Sequence, residues 1–209
     1  MEERKLTEKE SLEVITTMIA RTRERYIGDG NIMLMWGYLT VAVTVLVWVL
    51  LAITCHPACN WLWFLIWIIG GTATPIMARK KERETGVKTY SDKLTSRIWS
   101  TVGFSAIFST FCCLGFLLFR GISTWSMMFT FALIIVPFAE IAQGVILNER
   151  SIVAGGGIGL TIGIFTTCCI AGGIPLYANW YLPLFMIAFI AMMIVPGHIL
   201  NHKAHNERG

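Results

Sequence analysis

The sequence predicts an all-α polytopic membrane protein, with six transmembrane helices as three hairpins and an amphipathic helix ahead of them. Three observations lead there. The chain has 209 residues, 55% of them hydrophobic and only 14% charged, where a soluble domain carries about 25% charged residues. The apolar residues gather into six runs, each near the ~20 residues a bilayer requires. The basic residues gather between alternate runs. A net charge of +4 distributed in this way makes the lipid bilayer the expected partner and argues against nucleic acid.

Residues 1–31 are polar and form an N-terminal region of their own. Thr7 and Glu10 fit a capping box. Leu12, Ile15, Ile19, Thr22 and Tyr26 then recur near the helical period, with Glu13, Arg21 and Glu24 opposite. Gly28 ends the pattern behind Arg21, Arg23 and Arg25, whose charge suits a helix C-terminus. Such a helix rests on the membrane surface or under the bundle, or docks a cytosolic protein partner. A polar stretch of this length before the first apolar run speaks against a cleavable signal.

The bundle is expected over 32–200, with spans near 32–54, 61–78, 98–119, 124–147, 152–172 and 181–200, and a tail over 201–209. With the N-terminus inside, the inner segments 1–31, 79–97, 148–151 and 201–209 hold 16 of the 17 Lys and Arg, leaving Arg120 outside. This positive-inside bias predicts a multi-pass protein of the inner membrane with both termini cytoplasmic. Trp61, Trp63, Trp125, Tyr177, Trp180 and Tyr181 fall at the outer boundary, Trp36 and Trp99 at the inner one. The longest connection between spans is expected at 79–97, with Gly86 stopping the second helix and Ser91 capping the third. Its basic run suits anionic inner-leaflet lipid.

Two hairpins share sequence. IFSTFCC at 107–113 resembles IFTTCC at 164–169, and GVILNER at 144–150 resembles GHILNHK at 197–203. The returning spans each carry a proline, Pro75, Pro137 and Pro196. In the fifth span Gly155, Gly159, Gly163, Thr167 and Ala171 recur every four residues, a small-residue face that admits a second helix closely. Thr101, Ser105, Ser109 and Cys113 make the same pattern in the third. Both are expected to be packing faces.

Glu140 is the one acid inside a predicted span. A carboxyl in hydrocarbon is costly, and by default it is functional or tightly partnered. Pro137, three residues earlier, lacks an N–H and frees the carbonyl of Leu133. Gln143 adds polarity one turn on. The polar site is therefore expected to comprise Glu140, Gln143, Ser105, Ser109 and Thr161, with a protonated Glu140 donating a hydrogen bond to one of the three hydroxyls. His198, His202 and His205 share one helix face, a pattern that either faces headgroups or holds a metal. An intramembrane enzyme would need Glu140 and His198 to converge. The six cysteines sit toward the outer side, and Cys55 and Cys59 would face an oxidising compartment. The vicinal pairs read as packing residues. No HExxH, GxSxG or phosphate-binding loop is present.

The stretch 11–39, SLEVITTMIARTRERYIGDGNIMLMWGYL, with its amphipathic helix running into Trp36-Gly37, resembles the start of a group of small uncharacterised bacterial six-span membrane proteins. The resemblance implies a bacterial inner membrane and transfers no functional residue. The leading expectation is a non-enzymatic protein with a sensing, regulatory or scaffolding role, without catalytic residues, metal or cofactor, and with homo-oligomerisation left open. The alternative is a small proton- or cation-coupled transporter or channel using Glu140.

Overall fold

The computed structural model describes residues 12–14, 16, 30–85 and 90–206, and among these every regular element is helical. Helix α1 spans Asn31–Thr54, and a 3-10 segment over Pro57–Trp63 leads into α2, Phe64–Thr85. Then come α3 (Tyr90–Arg120), α4 (Ser126–Leu147), α5 (Arg150–Ala171) and α6 (Ala178–Phe189). A π-turn at Ile190–Ile194 joins α6 to α7, Val195–Asn206. Counting α6, the π-turn and α7 as one, six helical segments are long and apolar enough to cross a membrane. The protein is an integral, multi-pass, all-α membrane protein.

The helices overrun the apolar windows. α2 continues to Thr85, α3 already starts at Tyr90, and α7 runs to Asn206. The connection expected over 79–97 therefore shrinks to 86–89, and Ser91 lies inside α3 instead of capping it. Hydropathy marks where lipid ends, whereas i→i+4 hydrogen bonds continue into water as long as the residues tolerate a helix. Gly86 and most of the expected N-terminal helix lie outside the described residues. Of that helix, Leu12–Val14 and Thr16 are helical and exposed, with the Thr16 hydroxyl donating to Leu12 O at 2.7 Å.

Four spans make the centre. α4 packs along α5, the last span packs against both α5 and α1, and α2 and α3 lie outside against α1 and α4 respectively. Burial agrees: 44% of the last span's apolar window is buried, against 6% of the second span's. The core runs along the last span through Tyr181, Phe185, Ala188, Phe189, Met192 and Met193, joined by Leu133 of α4. Trp63, Phe129 and Phe185 meet edge to face above it, with centroids 5.5–5.8 Å apart. This is the geometry aromatic quadrupoles favour.

The opposite end is tied by polar contacts. Asn201 accepts from Gly30 N at 2.7 Å and donates to Asn31 Oδ1 at 2.8 Å. Lys203 Nζ meets Glu149 Oε2 at 2.7 Å, and Tyr38 OH meets His198 Nε2 at 2.7 Å. The first helix, the α4–α5 turn and the last helix are thus clasped at one end. The two ILN matches diverge here. Asn148 closes α4 in the left-handed region (φ 55°), which Asn tolerates, whereas Asn201 stays helical and spends its side chain on the clasp.

Candidate functional site

Glu140 is fully buried, and neither carboxyl oxygen has a hydrogen-bond partner among the described residues. It lies between Pro137 and Gly144, both buried on the face of α4 that meets α5. The glycines of α5 make that contact close. A Cβ on Gly156 would fall 2.8 Å from Ile141 Cγ1 and 3.0 Å from Pro137 O. On Gly163 it would strike the carbonyl of Leu133, the group that Pro137 leaves without its helical donor. Here glycine lets one backbone press against the freed carbonyl of another, a Cα–H···O contact.

The other side of α5 faces the last span. A Cβ on Gly155 would fall 2.5 Å from Ala191 O and 2.8 Å from Pro196 Cγ. On Gly159 it would lie 2.8 Å from Met192 Sδ and 3.2 Å from Pro137 Cγ, so Gly159 marks the level where α4, α5 and the π-turn converge. The π-turn shifts the hydrogen-bond register just ahead of Pro196, which also removes the α donor of Met192 O. Val195 N–H goes to Ile190 O, and Pro196 has no N–H, so Ala191 O loses both its α and its π donor.

The expected hydroxyl partners of Glu140 are engaged elsewhere. Ser105 donates to Thr101 O at 2.8 Å and Thr161 to Gly157 O at 2.9 Å, each within its own helix. Thr161 is exposed, and Ser109 is buried on α3 without reaching the carboxyl. Serine and threonine hydroxyls in apolar helices bond back to the i−4 carbonyl, which satisfies them without a neighbour. Gln143 is also apart from Glu140, its Oε1 accepting from Trp99 Nε1 of α3 at 2.6 Å. The anticipated hydrogen bond from Glu140 is therefore absent among the described residues. The α3 stripe is a packing face only in its C-terminal half: Ser109 and Cys113 are buried, Ser105 is half-buried and Thr101 is exposed.

His198 meets Tyr38 OH and makes no hydrogen bond with Glu140, and His202 Nε2 sits 3.4 Å from Asn206 Nδ2. The described residues hold no group of three or more His, Cys, Asp or Glu placed for a metal ion. All six cysteines are free thiols, with Cys113 and Cys169 buried. The sequence reading missed the π-turn, the asparagine clasp and the Glu149–Lys203 pair. Pro196 in the last span was the available signal for the first. Compared with known proteins, the chain matches no family model, no curated protein and no solved structure.

Proposed function

We propose that this is a non-enzymatic, ion-coupled transporter of the bacterial inner membrane, with Glu140 as the group that takes up and releases a proton or cation. One observation carries the reading: a carboxyl with no exposure and, among the described residues, no partner for either oxygen, inside the bundle. A polar side chain kept for helix association sits in a hydrogen bond, as Gln143 does with Trp99. A buried acid that bonds to nothing costs stability that an apolar residue would not, and ion binding is the ordinary reason for tolerating that cost. The sensing or scaffolding role rested on the N-terminal helix and has no comparable observation behind it. Both termini are assigned to the cytoplasm on the charge asymmetry of the connecting segments.

The test uses the full chain reconstituted in liposomes, with an imposed membrane potential and internal dyes that report proton and sodium entry. The wild type is expected to conduct, and Glu140→Gln to abolish conduction while retaining its helical circular dichroism and elution volume. Equal flux through both proteins would overturn the assignment.

A further inference from the structure

Two consecutive spans leave a cleft between them. α2 packs on α1 and α3 on α4, and packing hardly joins α2 to α3. At the Phe64 end of α2 both helices reach the residues just ahead of α4. The Phe64 and Trp125 rings meet with centroids 5.8 Å apart, and the Cys113 thiol donates to Thr124 O at 3.5 Å. Toward the other end they part. There α2 is tied to α1, where Trp36 Nε1 donates to Thr74 at 2.9 Å, and α3 to α4 through Trp99 and Gln143. Residues 86–89 connect the two helices and let Thr85 and Tyr90 stand up to ~18 Å apart, against ~8–10 Å between packed helices. Both spans are poorly covered by protein, with 6% and 22% of their apolar windows buried.

Cations edge the open end. Arg83 and Lys93 lie within one turn of the 86–89 connection, and Arg79 and Arg97 one turn further along their helices. All four are exposed, and none is in an ion pair among the described residues. Glu82 and Asp92 have contacts of their own. Over 79–97 seven Lys and Arg stand against three acids, which leaves a net charge of +4. Beyond the cations the exposed surface turns apolar, through Ile76 and Ile68 on α2 and Phe104 and Phe108 on α3. Cation at one end and hydrocarbon along the rest is the complement of an anionic phospholipid. A second copy of the chain, inserted in the same orientation, would instead set like charges against each other.

We propose that the cleft between α2 and α3 holds an anionic phospholipid, with its headgroup on Arg79, Arg83, Lys93 and Arg97 and its acyl chains along the two helices. The inference does not involve Glu140 and stands apart from the transport reading. Because helix continues through Thr85 and resumes at Tyr90, these cations rim a cleft rather than lie on a long loop, and binding there saturates.

The full-length protein, stripped of lipid in a neutral detergent, is melted against increasing phosphatidylglycerol or phosphatidylcholine, and the lipid phosphorus retained after size exclusion is counted. Phosphatidylglycerol is expected to raise the melting midpoint saturably, to be retained stoichiometrically, and to lose its effect in high salt. Phosphatidylcholine with the same chains should do neither. Arg79→Gln combined with Arg97→Gln should raise the half-saturating concentration on the order of tenfold, whereas Arg120→Gln, at the far end of α3, should leave it unchanged. If the double variant does not fold, the difference between the two lipids and its salt dependence decide alone. A response common to both lipids, or one that the double variant keeps, overturns the proposal and reduces the lipid to bulk solvent. A lipid-free dimer that phosphatidylglycerol does not dissociate overturns it as well and assigns the cleft to a second copy.

Discussion

Removing Glu140 should not have the usual effect of removing a buried polar residue. When such a group is paired, its loss strands a partner and destabilises. Among the described residues Glu140 has no partner to strand. Glu140→Leu is therefore expected to melt no lower than the wild type, and to gain up to ~1–3 kcal/mol in the manner of buried ionic groups replaced by hydrocarbon. A clear fall in the midpoint would mean that the carboxyl is held by a group the structure does not place beside it. Glu140 was legible in the sequence because one acid among six apolar runs needs no further context. Its surroundings were not. Gln143 is three residues on and so rotated by ~60° from Glu140 on a 3.6-residue helix, enough to face Trp99 of α3. Whether a hydroxyl turns to a neighbouring helix or to its own i−4 carbonyl is decided by packing that a single sequence does not display.

Among the elements, α5 is the one whose pattern translates most directly into contacts. Gly155, Gly159 and Gly163 are all buried, and each meets atoms of α4 or the last span. Gly157 of the same helix has nothing within 4 Å of its would-be Cβ. The two classes should respond oppositely to alanine. Gly163→Ala drives a methyl into the Leu133 carbonyl, an overpacking worth about 1–3 kcal/mol, and should lower the melting midpoint. Gly157→Ala meets open space and should hold or raise it, by up to ~1 kcal/mol from helix propensity. Equal responses would disconnect the stripe from helix contact. The repeated small residues were readable because spacing alone defines a helix face. The π-turn was hinted at only by Pro196, because in a span that is apolar on every side the rotation of faces it causes leaves no mark in hydropathy. The helix ends were misplaced for a related reason: Arg79 to Arg83 and Lys93 to Arg97 extend α2 and α3 into water as helix.

For the whole molecule, the number of spans was legible and their arrangement was not. The apolar windows have similar hydropathies, 1.5 to 2.2, because lipid-facing and partner-facing surfaces are both apolar in a bilayer, so nothing in composition marks the last span as central. Orientation is a separate matter of charge. In a cysteine-free background, a thiol placed at position 58 should react with an impermeant maleimide from outside intact cells. One at position 86 should react only after the inner membrane is opened. Labelling of position 86 from outside would invert the arrangement.

The clasp at the basic end has a consequence for how the protein is made. Gly30, Asn31, Tyr38 and Glu149 find their partners on Gly197, His198, Asn201 and Lys203, all in the sixth of the six spans in chain order. α1 and α5 must therefore wait in the lipid with one side uncovered until the sixth span has entered, and only then does it slot between them. A chain arrested before the sixth span keeps the Gly155 and Gly159 side of α5 open to other helices. Arrival of the sixth span is the step at which this bundle closes.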